Sequence, residues 1–256
     1  SRECKSAEGC DAITIPHNSN ASTGQMWDTA NDPRTRKFMK RYQVLVEFFQ
    51  HKGNSECLPD QALGDPGCAF EVVRGSAITK MLGLPEVPGN SEEKNALGYV
   101  RNGLARGLGF VAQKQPNPLQ IGLIGSTDTH NASPGNVKES TWPGHAGGSD
   151  SKPDTRLETS DFNPGGIAAV WAEQNTREAI FAGMKRRETY ATSGPRLVVR
   201  FYATSTVKDD ESAKKMCDDS LFPKALADSG AAAMGSRARG RSRAASRAPR
   251  WRTSAR

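Results

Sequence analysis

The stretch "LQIGLIGSTDTHN", residues 119–131, is an apolar run that changes abruptly into small polar residues. Leu119, Ile121 and Leu123 alternate with other residues, which predicts a β-strand with one apolar face. Asp128 and His130 follow directly after this run. Reactive groups collect at the carboxyl ends of strands in α/β folds, so this strand end is the first candidate for a functional site.

Working outward, apolar and β-branched patterns predict further strands at 11–15, 44–49 and 196–203. Helical spacing and start signals predict helices over 33–43, over 92–112 and after Asn175, where Asn175 and Glu178 are close to a capping box. Strands that alternate with helices predict an α/β fold with a largely parallel sheet. Residues 132–166, rich in Gly, Pro and Ser, predict a long irregular loop.

Three of the four histidines follow predicted strands: His17, His51 and His130. If these strands are parallel neighbours, their ends meet at one rim. Imidazole and carboxylate groups together suit Mn, Zn or Fe, so a divalent metal site is one interpretation. In an extended segment Asp128 and His130 point the same way and address one metal. The alternative is that each histidine only makes hydrogen bonds in its loop, which is our interpretation of His145.

Lys52 and Glu56, in "HKGNSE", follow the second of these strands. A carboxylate at such a place is suited to general-base catalysis or to bridging metals, and a cation to binding an anionic substrate group. The alternative is a solvated loop in which Gly53 makes the turn.

The net charge of +7 lies in the last twenty residues, and everything before them is near neutral. We expect residues 229–256 to form a disordered basic tail, which is also what a shifted reading frame would produce. Such a tail supports only non-specific phosphate binding, so specific nucleic-acid recognition is disfavoured. No apolar run approaches the roughly 20 residues of a membrane span. The tail's eight arginines are Arg237, Arg239, Arg241, Arg243, Arg247, Arg250, Arg252 and Arg256.

The five cysteines form no CxxC pair, which disfavours a structural zinc ribbon. Cys4 with Cys10, or Cys57 with Cys68, are spaced for small-loop disulfides in an oxidising compartment. Isolated thiols are the alternative.

Four motifs resemble the DUF3604 family, which is similar to the PHP (polymerase and histidinol phosphatase) superfamily of metal-dependent hydrolases. They are "AITIPHNSN", "HKGNSE", "GLIGSTDTHN" and "NPGGIAAVWAEQNTREAIFAGMKRRETYATSGPRLVVRFY". The resemblance covers roughly residues 4 to 225 in order, and the last motif is the most specific.

This resemblance implies part of a distorted (β/α) barrel with a metal site at the strand ends, and hydrolysis of a phosphoester or related bond. It implies His17, Asp128 and His130 as metal ligands, with Mn, Zn or Fe as cofactor. Lys52 and Glu56 match the family's K-G-x-S-E stretch and are the expected catalytic residues.

PHP-like proteins also carry an H-x-H motif before the "IPHN" segment, and this chain has none. We therefore expect a carboxyl-terminal piece, residues 1–228, with part of the metal site missing and activity impaired. The alternatives are a non-catalytic remnant with weak or no metal binding and, less favoured, nucleic-acid binding through the tail. The resemblance further suggests that complete relatives are exported. The substrate class is a small molecule or phosphoester, and no pattern predicts an oligomeric state.

Overall fold

The computed structural model describes residues 10–58, 66–73, 97–147, 150–158, 163–203, 232–233 and 254–255. The α-helices among them are α1 (Gln25–Asp28), α2 (Pro33–Tyr42), α3 (Val100–Ala112), α4 (Pro153–Glu158) and α5 (Arg177–Lys185). The strands are β1 (Leu45–Gln50), β2 (Gly53–Asn54), β3 (Gly122–Gly125), β4 (Ile167–Val170), β5 (Thr189–Thr192), β6 (Val199–Arg200), β7 (Tyr202–Ala203), β8 (Ala232–Ala233) and β9 (Ser254–Ala255). Short 3₁₀ turns lie at Ser19–Ala21, Thr29–Asn31, Pro66–Ala69 and Glu139–Thr141.

A three-stranded sheet in the order β2-β1-β3 positions the candidate site. β1 and β3 are parallel, with Leu45 opposite Gly122 and Phe49 opposite Gly125. β1 turns back sharply into β2, which pairs antiparallel with it. The loops that follow β1 and β3 therefore leave the sheet at the same edge, as the sequence predicted for these two strands.

The core lies mainly between β1 and the first three helices. Its buried residues are Trp27, Ala30, Met39, Val46, Val100, Leu119 and Ile121. Helix α2 begins where the sequence predicts, because Asp32 accepts a hydrogen bond from the backbone N–H of Thr35 and Pro33 occupies the first turn. Alternation along β1 sends Val46 to this core and Leu45 to a smaller one with Val44 and Ile124.

The strands β4 and β5, which are connected through helix α5, pair antiparallel and pack against β3. The hydroxyl of Thr189 donates to the carbonyl of Leu123 at 2.8 Å, and a Cβ on Gly125 would lie 2.7 Å from the Cβ of Ala191. Glycine on β3 thus allows β5 to approach closely.

The structure is mixed α/β, with small sheets and few helices. The prediction of a largely parallel sheet is wrong for the described residues: β1 and β3 are their one parallel pair, since β2 turns back antiparallel on β1 and β4 pairs antiparallel with β5. The described strands form no closed barrel. The arrangement of the PHP barrel remains a prediction.

Two local predictions need correction. Residues 11–15 run beside the start of β1 but are not a strand, since Pro16 has no N–H with which to extend the pairing. Helix α5 is capped by Thr176 rather than Asn175: the hydroxyl of Thr176 accepts from the N–H of Ala179. Cys57 and Cys68 form a disulfide, one of the pairings that the spacing allowed, and Cys10 is disulfide-bonded as well.

Most of the predicted basic tail lies outside the described residues, so its disorder stays a prediction. Two dipeptides within 229–256 are described: β8 pairs with β7, and β9 pairs with β6, both antiparallel. Within the described part of the chain, no helix has the length and apolar character needed to cross a membrane.

Candidate metal centre

His51 and Lys52 form the two-residue turn between β1 and β2. Gly53 directly after them has φ +90°, and a Cβ there would lie 2.4 Å from the carbonyl oxygen of Glu71. Only glycine fits this backbone, which explains "HKGN". The turn is buried: His51 is 1% exposed and Lys52 is 6% exposed. A histidine and a lysine so deeply buried need polar partners.

Those partners come from the loop after β3. Asp128 adopts a left-handed conformation with φ 51°, which aspartate tolerates better than most residues. Its Oδ2 lies 3.2 Å from Nε2 of His51, and its Oδ1 lies 3.5 Å from Nε2 of His130. Asp128 and His130 thus meet as the sequence suggested. The sequence predicted this meeting from an extended segment, whereas the backbone at Asp128 is left-handed.

One ligand atom from each of His51, Asp128 and His130 lies within 4.8 Å of the others. Two imidazoles and a carboxylate are a donor set that binds Zn, Mn or Fe in proteins. Asp128 and His130 were expected here as ligands, whereas His51 was one of the three strand-end histidines of the possible metal site and was not among the ligands that the family resemblance implied. His51 is deeply buried and His130 is largely exposed, so this group of three, the metal-type triad, opens toward solvent on the side of His130.

The ammonium group of Lys52 also lies beside His51 and Asp128. Its Nζ lies 3.1 Å from Nε2 of His51 and contacts Oδ2 of Asp128. Burial on its own would raise the pKa of Asp128, but hydrogen bonds from His51 and Lys52 together with the charge of Lys52 hold that pKa well below its usual range. Burial also lowers the pKa of His51 despite the nearby carboxylate, which favours the neutral imidazole that a metal requires.

Glu47 is a further acid beside the triad, and sequence reasoning missed it. It lies on β1 with only 9% of its surface exposed, and Oε2 accepts a hydrogen bond from the hydroxyl of Ser126 at 2.7 Å. Burial raises the pKa of the Glu47 carboxyl, and the bond from Ser126 opposes part of that rise. The available signal was the glutamate itself, a charged residue inside the apolar run "VLVEFF".

The long loop after β3, in which His145 was interpreted as only making hydrogen bonds, returns to the triad. The ring of His145 stacks on that of His51 with centroids 4.6 Å apart, and the carbonyl of His145 accepts from the N–H of His130 at 2.6 Å. Asp150, 1% exposed, contacts Nδ1 of His145 and accepts hydrogen bonds from the N–H groups of His145 and Ala146. His145 thus lies against His51 and His130, the two histidines that contact Asp128.

The other two predicted residues lie apart from the triad. His17 is exposed and stands outside the group of three, although its charge opposes part of the rise in the pKa of Glu47. The carboxylate of Glu56 is bound by Arg101 at the start of α3, with Nη2 to Oε1 at 2.7 Å. The roles predicted for His17 and Glu56 therefore stay predictions.

Comparison with known proteins gives one finding. The model of a family described as "Protein of unknown function (DUF3604)" matches residues 2–255. No curated protein and no solved structure matches the chain.

Proposed function

The chain belongs to the DUF3604 family, and we propose that it is a metal-dependent hydrolase of PHP type that cleaves phosphoesters. The observation that carries the proposal is the metal-type triad at the ends of two parallel strands. A metal is bound by neutral imidazoles and an ionised carboxylate, and the lowered pKa values of His51 and Asp128 favour those forms of these two side chains.

His51, Asp128 and His130 would hold the ion, which we expect to be Mn, Zn or Fe. When bound, the ion supplies Lewis-acid chemistry that activates water and polarises a phosphoryl oxygen. The reaction adds water across the ester P–O bond and yields an alcohol and a phosphate. The barrel that the family resemblance implies is part of this proposal, with β1 and β3 as two of its parallel strands.

Lys52 has a separate task in this scheme. Its ammonium lies at the triad and is well placed to bind an anionic oxygen of the substrate once a metal occupies the ligand atoms it now contacts. The stacked ring of His145 and the buried Asp150 hold the loop after β3 against His51, which keeps the ligand atoms together.

The same lysine favours a second candidate, a protein that binds metal weakly or not at all. A lysine ammonium in contact with His51 and Asp128 already satisfies both polar groups. In that case the polar cluster would serve to link the β1–β2 turn to the loop after β3.

A measurement of metal content distinguishes the metal-dependent hydrolase from the protein that binds metal weakly or not at all. After treatment with chelator and reloading with Mn²⁺ or Zn²⁺, we expect about one equivalent of retained metal and hydrolysis of 4-nitrophenyl phosphate. An Asp128→Ala, His130→Ala double variant should lose both, while the matched control Asp154→Ala, an exposed acid on α4, should keep them. His17→Ala measures whether His17 adds a ligand. Equal metal content in the double variant and the control would refute the triad as the site.

A further inference from the structure

A groove beside the metal-type triad has a volume of about 1010 Å³ and is lined by the end of β1 and by residues 70–71, 134–138, 163–164 and 193–196. We call it the Arg196 groove. It shares walls with the triad: the N–H of Asn163 donates to the carbonyl of His51 at 3.1 Å, and the N–H of Gly135 donates to the hydroxyl of Thr127, which precedes Asp128.

The Arg196 groove carries donors for an anion. Lys138 and Arg196 are exposed, and neither side chain forms an ion pair or hydrogen bond with the described residues. Asn163 is 8% exposed and its Oδ1 accepts from the N–H of Gly165 at 2.6 Å, which leaves Nδ2 without a partner among the described residues. A buried amide donor without a partner is costly unless a ligand or water satisfies it. Glu71 is the one carboxylate among the described lining residues.

The same groove offers an apolar wall. The ring of Phe70 stacks on that of Phe49 with centroids 5.9 Å apart and an interplanar angle of 21°, and Phe70 is 49% exposed. An exposed phenylalanine supported from behind by a buried one is a flat surface on which an apolar or aromatic group can lie. Ligand sites commonly combine such surfaces with a few polar groups.

We propose that the Arg196 groove binds the non-reacting part of the substrate, and that this part combines an apolar or aromatic body with an anionic group. The body lies on Phe70, and the anion is bound by Lys138 and Arg196 with the amide of Asn163. The identification of this ligand as substrate rests on the proposed function. Binding to the groove itself does not require the metal.

The test uses naphthalene-2-sulfonate, an aromatic anion with no ester bond, and the neutral naphthalene-2-methanol, measured by calorimetry on the full chain in excess chelator. We expect the sulfonate to bind more tightly than the alcohol. A Lys138→Ala, Arg196→Ala variant should weaken sulfonate binding by roughly tenfold or more. An Arg34→Ala, Lys40→Ala variant removes two exposed cations from α2 and should leave it unchanged.

Two further variants separate this inference from the proposed function. Asn163→Asp keeps the oxygen that accepts from Gly165 but replaces the free donor with a carboxylate oxygen, so it should also weaken sulfonate binding. The Asp128→Ala, His130→Ala variant should bind the sulfonate like the wild-type chain even if it no longer binds metal. Equal affinity for the two probes, insensitivity to Lys138 and Arg196, or loss of binding in the triad variant would overturn the proposal.

Discussion

Lys52 and Asp128 form a largely buried ion pair that joins the β1–β2 turn to the loop after β3. Nζ of Lys52 contacts Oδ2 of Asp128, the same oxygen that lies 3.2 Å from Nε2 of His51. The ammonium therefore stands against two of the three atoms that a divalent ion would need. A metal ion and the ammonium of Lys52 would compete for the same position beside His51 and Asp128. A change of Lys52 measures this competition.

Lys52→Met keeps the length of the side chain and removes its charge. We expect metal affinity to rise by roughly tenfold or more, since an ammonium near a cation site is strongly repulsive at the effective dielectric of a protein interior. Hydrolysis per bound metal should fall, because the substrate's anionic oxygens lose a cation. Calorimetric titration with Mn²⁺ and turnover of 4-nitrophenyl phosphate measure the two effects.

Lys40→Met, at an exposed position on α2, is the control for the change in net charge and should alter neither quantity. Unchanged metal affinity in Lys52→Met would mean that the ion pair does not compete with a metal. Thermal unfolding of both variants identifies any loss of folded protein.

Glu47 gives a prediction about stability and pH. Burial raises the pKa of this carboxyl above the ordinary value near 4.5, so the folded state holds a proton that the unfolded chain releases. The free energy of unfolding therefore falls as pH rises from the unfolded pKa through the folded one. Glu47→Gln cannot ionise and keeps an oxygen that accepts from Ser126, so it should be more stable than the wild-type chain at neutral pH.

This advantage should shrink as the pH falls toward about 4.5 and be lost below it, where Glu47 is protonated in both states. Urea unfolding in chelator at pH 4 and pH 7 measures it. Glu173→Gln, at an exposed position, should show no such pH-dependent difference. A Glu47→Gln variant less stable than wild type at pH 7 would contradict the assigned direction of the shift.

The sequence predicted the parts of this structure that depend on local signals. Asp32 and Pro33 define the start of α2, and the β-branched and aromatic residues of 44–49 form β1, because caps and buried strands are encoded by adjacent residues. The pairing of β1 with β3 placed His51 and Asp128 at one edge of the sheet, as expected for parallel neighbours. Whether these residues bind metal remains a prediction.

The features that the sequence did not predict depend on contacts between residues far apart in the chain. The left-handed backbone at Asp128 has no signature in "GSTDTHN", and the stacking of His145 on His51 joins residues 94 positions apart across an irregular loop. The antiparallel pairing of β4 with β5 was missed because "IAAV" is too short for periodicity to separate a strand from other buried segments.

The start of α5 provides a local test of which residue caps the helix. Thr176→Ala removes the hydroxyl that accepts from the N–H of Ala179 and should lower the free energy of unfolding by about 1 kcal/mol. Asn175→Ala, one residue earlier and exposed, should change it by less than about 0.5 kcal/mol. The reverse order in chemical denaturation would restore Asn175 as the cap.

The last prediction concerns the close packing of β5 beside β3. Gly125→Ala would bring a methyl group to 2.7 Å from the Cβ of Ala191 and 3.2 Å from the carbonyl oxygen of Phe49, so β5 or β1 must shift. We expect a loss of about 1–3 kcal/mol in the free energy of unfolding. Gly109→Ala is the matched control: nothing lies within 4 Å of a Cβ there, inside α3, and alanine should stabilise the chain by roughly 0.5–1 kcal/mol. Because the loop that carries Asp128 and His130 begins directly after Gly125, the Gly125→Ala variant should also weaken metal binding, whereas Gly109→Ala should leave it unchanged. Equal stability of the two variants would mean that β3 and β5 are not in the contact described.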